Sequence, residues 1–277
     1  MRTPVRVITD STAAIDDAVA AAHGIAVVPA KVVLGGVPYP DGTLSLTELL
    51  DRFDEGVTTA GPSPGDFAEA LAGADQGAVV ITVAANLSSS FKAAGVGASF
   101  FANGRVRVLN SGTAAGAQAL AVLHAARVAA GGASLDEVEA AARRVLGKVR
   151  LFGALETFEY LVRGGRLNST VGKMAAGLRV HPIFELRDGN IRSLAPCFSQ
   201  ERAIRRLLSY WRRSRVEGAR LHLIALHALA PDGAERLLAA VRREVEPATG
   251  LVAAFGPVMV VHTGPGLLGL SWWWEEG

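Results

Sequence analysis

Hydroxyl-bearing side chains follow three predicted strands of this sequence, at the point where each strand ends. The three loops are Thr9-Asp10-Ser11-Thr12, Asn86-Leu87-Ser88-Ser89-Ser90 and Asn110-Ser111-Gly112-Thr113. The second loop follows an apolar run at 78–83 and leads into a short amphipathic helix start at 91–94. A strand, a hydroxyl-rich turn and a helix direct backbone N–H groups and hydroxyls to one point, where an anion can bind. Because such strand ends line one crevice in an open parallel sheet, we predict a ligand site there.

Two glycine-rich strings match known motifs but lack the context that the motifs require. The sequence matches the nucleophile-elbow motif of hydrolases at Gly61-Pro62-Ser63-Pro64-Gly65, but no buried strand precedes it, as that motif requires. We interpret Ser63 instead as the cap of a helix at 64–72. The string at 264–269 spells a dinucleotide-binding motif, which needs a following helix and an acidic residue about 20 positions on. Only eight residues follow it. No metal-ligand spacing occurs either, so we expect no metal and no cofactor other than a bound ligand.

Strands and helices alternate in the first half of the chain. The predicted strands are 5–8, 25–33, 78–83 and 105–109, and the predicted helices are 12–22, 46–53, 64–72, 90–102, 114–130 and 135–147. This βαβ rhythm predicts a mostly parallel sheet with helices on both faces.

The second half predicts a mixed sheet, because it contains a hairpin. Segments 180–186 and 191–194 flank Asp188-Gly189, a strong signal for a two-residue turn. The other predicted strands are 149–155, 221–227, 252–261 and 267–273, and the predicted helices are 156–162, 169–176, 199–213 and 232–243. We therefore predict two α/β domains, at 1–149 and 150–277, with the last two strands around a functional loop.

Charge and composition narrow the function classes. Residues 1–149 carry 11 Lys and Arg against 14 Asp and Glu, and residues 150–277 carry 17 against 12. That imbalance is far from the dense basic surface of a nucleic-acid binder, so no nucleic-acid partner is expected. The single cysteine, Cys197, excludes an internal disulfide, and no signal peptide is recognisable, which fits the cytoplasm. The uncharged segment 247–274 is interrupted by Pro257 and glycines, so we expect a protein that is not membrane-integral.

Taken in order, these segments resemble the DegV family of bacterial fatty-acid-binding proteins over nearly the whole chain. The matching segments are Ile8-Thr9-Asp10-Ser11-Thr12, Thr59-Ala60-Gly61-Pro62-Ser63-Pro64, Leu87-Ser88-Ser89-Ser90, Asn110-Ser111, Phe158-Glu159-Tyr160-Leu161-Val162-Arg163-Gly164-Gly165-Arg166-Leu167, His181-Pro182-Ile183, Asp188-Gly189 and His262-Thr263-Gly264-Pro265-Gly266. The run at 158–167 is the most specific of them.

The resemblance implies a long-chain fatty acid in a tunnel between two α/β domains, with no catalysis by the chain itself. It also implies a separate ATP-dependent kinase, to which the protein presents the acid for acyl-phosphate formation in phospholipid metabolism. The implied ligand-binding positions are Thr59, Ala60, Ser88, Ser89, His262 and Gly264, and Arg166 is implied as a nearby or partner-facing charge.

Three positions depart from the family pattern. Ala60 stands where the family has Ser, Gly61 where it has Gln, and Ser89 where it has Gly. Ala60 removes one hydroxyl, so the carboxylate site is expected to be sparser or to use Thr58. Ser89 is expected to restrict how closely the backbone approaches a ligand.

Alternative interpretations remain open at this point. Ser88 is also an ordinary helix cap, His262 a satisfied histidine at a strand end, and Arg166 a charge that neutralises a loop. A second function class is a small-molecule hydrolase or transferase that uses Ser88 and His262. Such an enzyme needs an acid to orient the histidine, and Asp10 is the candidate.

Overall fold

The structure is a computed structural model, and it describes residues 4–101, 104–167 and 180–277. The predicted helix at 169–176 lies outside the described residues. The strands are β1 (Arg6–Asp10), β2 (Ile25–Val28), β3 (Lys31–Leu34), β4 (Val37–Pro40), β5 (Thr58–Ala60), β6 (Ala78–Thr82), β7 (Val106–Asn110), β8 (Arg150–Ala154), β9 (His181–Arg187), β10 (Asn190–Cys197), β11 (Arg220–His227), β12 (Thr249–Ala254) and β13 (Leu268–Glu275). The α-helices are α1 (Asp17–Ala22), α2 (Leu46–Asp51), α3 (Pro64–Leu71), α4 (Ser90–Ser99), α5 (Ala115–Ala130), α6 (Leu135–Leu146), α7 (Glu159–Arg163), α8 (Gln200–Arg213), α9 (Pro231–Arg242) and α10 (Pro257–Thr263), and two 3₁₀ turns lie at Ser11–Ala13 and Phe53–Glu55.

The first sheet is parallel, in the order β2-β1-β6-β7. Its central strand β6 is apolar and buried along its whole length, as expected for a strand covered on both faces. Side chains of α1, α5 and α6 pack on one face, and side chains of α3 and α4 pack on the other. The predicted parallel sheet with helices on both faces is confirmed.

The second sheet has the order β10-β9-β8-β13-β11-β12. Only β11 and β12 run parallel among its neighbouring pairs, so the predicted mixed sheet is confirmed. Residues alternate between its faces along β13. Trp272 and Trp274 pack beneath α8 and donate their indole N–H groups to Ser214 Oγ at 2.7 and 3.2 Å, whereas Trp273 lies on the opposite face.

Helix α5 lies between the two sheets. It contacts β1 and β6 of the first sheet and β11 and β13 of the second. Twelve of its 16 residues are buried, and seven of those are alanine, whose small side chain lets the helix backbone and the sheets approach closely. A Cβ on Gly116 would lie 3.0 Å from Ser271 Oγ. Any larger residue at this helix position would therefore require neighbouring side chains to shift slightly.

A small antiparallel sheet, β4-β3-β5, was not predicted from the sequence. The predicted strand 25–33 is instead two strands, because Pro29 has no N–H to donate to a ladder. Strand β5 lies between the predicted helices 46–53 and 64–72, where no strand was predicted. The predicted helix 12–22 is also shorter and begins only at Asp17. The Asp16 side chain accepts from Ala18 N–H and so caps α1, and residues 11–13 form a 3₁₀ turn before it.

The prediction of a strand at 252–261 is wrong beyond Ala254. Strand β12 ends there, and α10 begins at Pro257, so His262 lies in the last turn of a helix and not in a loop. Val258, Val260 and Val261 are β-branched and favour strands by propensity, but buried tertiary contacts override that preference. Among the described residues, no helix is long and apolar enough to cross a membrane.

Candidate functional site

A narrow, mostly apolar channel runs between the sheets. Its apolar walls are formed by Ala30, Ala60, Gly61, Val83, Leu87, Ala114, Ala115, Leu151, Leu161, Phe184, Leu186, Ile191, Phe255, Val258, Met259 and Leu267. Its polar wall residues are Thr12, Thr59, Ser88, Arg166, His262 and Thr263. The centre of a water molecule can reach about 100 Å³ of it. A mostly apolar lining with a few polar groups suits a ligand that has a hydrocarbon body and a polar head group.

Thr59 and His262 form the best-defined polar contact of the channel. Thr59 Oγ1 lies 2.8 Å from His262 Nε2. Strand β5 carries Thr59 and α10 carries His262, so the small sheet and the last helix meet here. His262 Nδ1 is buried without a hydrogen-bond partner among the described residues. Because an orphaned buried N–H costs more than an orphaned lone pair, Nε2 carries the proton and donates to Thr59, whose O–H is then free for a ligand.

His262 is neutral in this environment. Burial, and then the nearby Arg166 guanidinium, lower the pKa of its imidazole to about 4. Gly164 packs directly on the ring, and any Cβ at that position would overlap His262 Nδ1. The glycine pair in the sequence run 158–167 therefore makes room for this histidine.

Arg166 brings a positive charge to the same end of the channel. Its Nε donates to Leu87 O at 3.2 Å, and its Nη1 donates to Gly164 O. The guanidinium is half-buried, and burial lowers its pKa. No carboxylate among the described residues pairs with it, so the charge lacks a protein counter-ion, which favours an anionic ligand.

The Ser88 loop supplies hydroxyls beside these groups. Ser88 Oγ lies 2.9 Å from Ser90 Oγ and accepts from the N–H of Ser90, the first residue of α4, at 3.2 Å. Ser88 also lines the channel. Ser90 is fully buried, and its hydroxyl was not singled out from the sequence. The N-cap residue of α4 is Ser89, which makes no side-chain cap bond.

Two departures from the family pattern fit each other in space. A Cβ built on Gly61 would lie 3.1 Å from Ser89 Oγ and 3.2 Å from the hydroxyls of Ser88 and Ser90. The side chain that Ser89 adds is therefore accommodated because Gly61 has none. Ala60 lines the channel, whereas Ser89 and Gly264 are not among its walls. Gly264 ends α10 with φ +71°, and any Cβ there would overlap the Tyr160 ring.

Asp10 does not orient His262. Its buried carboxylate accepts from Val83 N–H at 2.9 Å and Thr12 N–H at 3.2 Å, and also from the Thr12 hydroxyl and the Gln118 amide. Burial raises the pKa of this carboxyl, and these donors counteract the rise. Ser88 bonds to Ser90 rather than to His262. The described residues thus show no serine–histidine–acid arrangement of the kind that a hydrolase requires.

Asp41 holds the helix that carries His262, and sequence analysis missed it. Its Oδ1 accepts from Val258 N–H at 3.0 Å, in the first turn of α10. Burial raises the pKa of this carboxyl, partly offset by the bonds from Val258 and Ser11. A carboxylate at a helix N-terminus accepts from a free backbone N–H and interacts favourably with the helix dipole.

Comparison with known proteins gives a consistent result. The model of the DegV family matches residues 4–275. A DegV domain-containing protein of Streptomyces coelicolor is 36% identical over 276 residues, covering 96% of this chain and 97% of that protein. A DegV family protein of Thermus thermophilus, described by its fatty acid binding, has a TM-score of 0.88 at 28% identity, covering 98% and 99% of the two chains. A DegV family protein of Eubacterium eligens, loaded with heptadecanoic acid, has a TM-score of 0.85 at 20% identity, covering 98% and 99%, and supports the fold.

Proposed function

The chain belongs to the DegV family, and we propose that it binds one long-chain fatty acid in the channel and presents it to a separate ATP-dependent kinase. The observation that carries this proposal is that the walls of one mostly apolar channel include the Thr59–His262 pair and Arg166, which has no carboxylate partner among the described residues. The fatty acid binding of the similar Thermus thermophilus protein supports it.

The carboxylate of the bound acid lies among Thr59, Ser88 and His262 in this proposal. The Thr59 hydroxyl is free to donate because His262 Nε2–H already occupies its acceptor side. Arg166 supplies the opposing charge. The tail fills the apolar part of the channel, where each buried methylene contributes about 0.8 kcal/mol. Over ~15 methylenes the tail dominates affinity, and the polar groups fix the orientation of the head group.

The proposed reaction belongs to the partner kinase. One carboxylate oxygen attacks the terminal phosphorus of ATP, an O–P bond forms, and the bond to the bridging oxygen breaks to release ADP. The acid reacts as its carboxylate, so no proton needs to be removed. The chain contributes position, not a nucleophile or a base. In this proposal the protein acts in the cytoplasm, where ATP is available to the kinase. The proposal also keeps the two predicted domains, 1–149 and 150–277, on either side of the ligand.

Mass spectrometry of the purified protein tests the binding step. We expect about one long-chain fatty acid per chain, released by organic extraction. Ile191→Trp, which adds bulk to a channel wall, should lower the amount bound, whereas Ser193→Trp on the exposed part of the same strand should not. If extracts contain no acyl chain and a fluorescent fatty acid does not bind at micromolar concentration, the proposal is wrong.

Paired assays of head-group variants test the presentation step. Ser88→Ala and His262→Ala should each weaken lipid binding modestly, because a net hydrogen bond contributes about 0.5–1.5 kcal/mol. The same variants should lose far more acyl-phosphate production with the kinase, because the reacting oxygen is misplaced. Equal losses in both assays would mean that these residues only hold the ligand. Serine-dependent ester hydrolysis by the protein alone would favour the enzyme alternative instead.

A further inference from the structure

A second cavity lies between α1, α5 and the second sheet, and it shares no wall residue with the channel among the described residues. We call it the histidine cleft, after His23, His124 and His222 in its walls. Leu120 and Leu123 of α5 and Leu251 of β12 line its apolar part. The centre of a water molecule can reach about 370 Å³ of the cleft, which is room for a small organic molecule.

Aromatic rings form one wall of the histidine cleft. The imidazole of His222 stacks on the Trp273 indole with ring centres 4.9 Å apart, and the imidazole of His124 meets the same indole edge to face at 5.1 Å. All three side chains are more than nine-tenths buried. Rings pack well against other rings and against leucine, so these walls favour a ligand that itself carries an aromatic ring.

His124 offers an unused hydrogen-bond donor to the cleft. Burial, and then the nearby Arg127 guanidinium, lower the pKa of its imidazole to about 4, so the ring is neutral at pH 7. Its Nδ1 lies 2.9 Å from Arg127 Nη2, which can only donate, so Nδ1 accepts and the proton is on Nε2. Within the described part of the chain, Nε2–H has no hydrogen-bond partner. His124 is 8% exposed and lines the cleft, so a ligand there can accept from this N–H.

His222, in contrast, has both ring nitrogens occupied. Its Nε2 lies 3.1 Å from Glu275 Oε2, and because a carboxylate only accepts, Nε2 carries the proton. Its Nδ1 then accepts from the Thr249 hydroxyl at 2.9 Å. His222 is therefore held rigidly as part of the aromatic wall, and His124 is the buried histidine that remains free to bind a ligand.

The charges around the histidine cleft favour an anion. Arg127 and Arg220 both pair with the Glu275 carboxylate, at 3.1 and 2.6 Å, so two guanidiniums share one negative charge. The neighbouring Glu276 is paired with Lys148 at 2.9 Å. No Asp or Glu is among the described residues that line the cleft. One positive charge is left in excess beside a buried N–H donor, and a single anionic group would compensate it.

We propose that the histidine cleft is a second ligand site, which binds a small aromatic molecule with one anionic group. The ring lies among Trp273, His124 and the leucines, and the anionic group accepts from His124 Nε2–H beside Arg127. The site goes beyond fatty acid binding and does not depend on it, because its walls are separate from those of the channel.

Histidine signals in NMR spectra locate the binding of a probe, 1-naphthoate, which has a bicyclic ring and one carboxylate. The protein is first saturated with palmitic acid, so that the channel is not open to the probe. We expect the imidazole signals of His124 and His222 to shift with a dissociation constant below about 1 mM, while those of His262 stay unchanged. A shift of His262 without His124, or no shift at that concentration, overturns the inference. This experiment uses the parent protein and needs no variant to fold.

A neutral ligand with the same ring, 1-naphthalenemethanol, tests the anion preference. The parent should bind the carboxylate about tenfold more tightly than the alcohol, as expected for one charged hydrogen bond. His124→Phe keeps a ring beside Trp273 but removes the N–H, and should reduce this preference to about threefold. Arg127→Gln should abolish it. Arg213→Gln is the matched control, because Arg213 is also in the last turn of a helix, and should keep the parent's preference. Equal binding of the two ligands by the parent, or a full preference in both cleft variants, would show that the cleft does not recognise an anion.

Discussion

At the scale of single residues, two polar groups of the channel lack a protein partner. His262 Nδ1 has no partner and Arg166 has no counter-ion among the described residues. In water neither condition would matter, but burial makes both costly. A carboxylate beside them would compensate the charge of Arg166 and accept from Thr59. A bound anion would also raise the pKa of His262, because opposite charge favours the imidazolium.

The neutral histidines predict a specific pH dependence of stability. Burial lowers the pKa of His262 and of His124 to about 4 in the folded protein, whereas an unfolded histidine titrates near 6.5. Between these values the unfolded chain binds protons that the native chain does not. Stability is therefore fully present above about pH 6.5 and falls as the pH is lowered toward 4.

Urea unfolding at pH 7.5 and pH 5 measures this effect in the ligand-free protein. The parent should lose stability at pH 5, and His262→Gln should lose less, because its side chain cannot bind the extra proton. His124→Gln should behave in the same way, since it removes the second such group. A parent-like loss in both variants would show that other groups control the acid limb.

At the scale of elements, features set by neighbouring residues could be predicted from the sequence, and features set by contacts between residues far apart in the chain could not. Ser63 and Ser134 cap their helices with capping boxes, and both signatures lie within four consecutive residues. The Asp188-Gly189 turn is equally local, with φ +50° and +71° at its two residues. The hydroxyl loops were likewise found because each directly follows its strand.

Helix α10 shows why other parts of the site could not be predicted. Its cap, Asp41, lies 217 residues away from Val258 in sequence. Without that partner, the valine-rich segment reads as a strand. The Thr59–His262 contact spans 203 residues, so the motifs identified both residues but not their hydrogen bond. The small sheet that carries Asp41 near its edge and Thr59 in β5 was missed for the same reason: its pairing is not local.

Removing the distant cap should destabilise α10. Asp41→Ala should lower the free energy of unfolding by about 1–2 kcal/mol, the usual range for a lost side-chain cap. Asp41→Asn keeps an acceptor oxygen and should lose less. Asp51→Ala, at an exposed acid that ends α2, is the control and should be close to neutral. Chemical shifts of His262 should move in Asp41→Ala alone; unchanged shifts and stability would show that α10 does not depend on this cap.

At the scale of the whole molecule, the channel depends on contacts that hold the two large sheets together around it. Helix α5 packs between them, and Asp41 and Thr59 reach across to α10. The β9–β10 turn adds a further link, because Gly189 N donates to Gly112 O at 2.6 Å and Asn86 Nδ2 donates to Gly189 O at 2.6 Å. Asn86 begins the Ser88 loop, so the second sheet supports a loop of the first at the channel wall.

Gly189 should therefore be sensitive to substitution for two separable reasons. It has φ +71°, which strains any other residue, and a Cβ there would also overlap the Asn86 side chain. Gly218 has φ +75° with nothing within 4 Å of the position of a Cβ, so Gly218→Ala measures the strain alone. Gly189→Ala should cost about 1–3 kcal/mol more than this control, the range typical of overpacking.

The double variant Asn86→Ala/Gly189→Ala identifies the source of that extra cost in urea unfolding. Removing the Asn86 side chain relieves the overlap, so the double variant should be less destabilised than the sum of the single variants. Lipid affinity should fall with Gly189→Ala, because the turn pushes on the Ser88 loop, and should be unchanged in Gly218→Ala. Equal losses of unfolding free energy in Gly189→Ala and Gly218→Ala would mean that the turn is not tightly packed against Asn86 and that the channel wall does not depend on it.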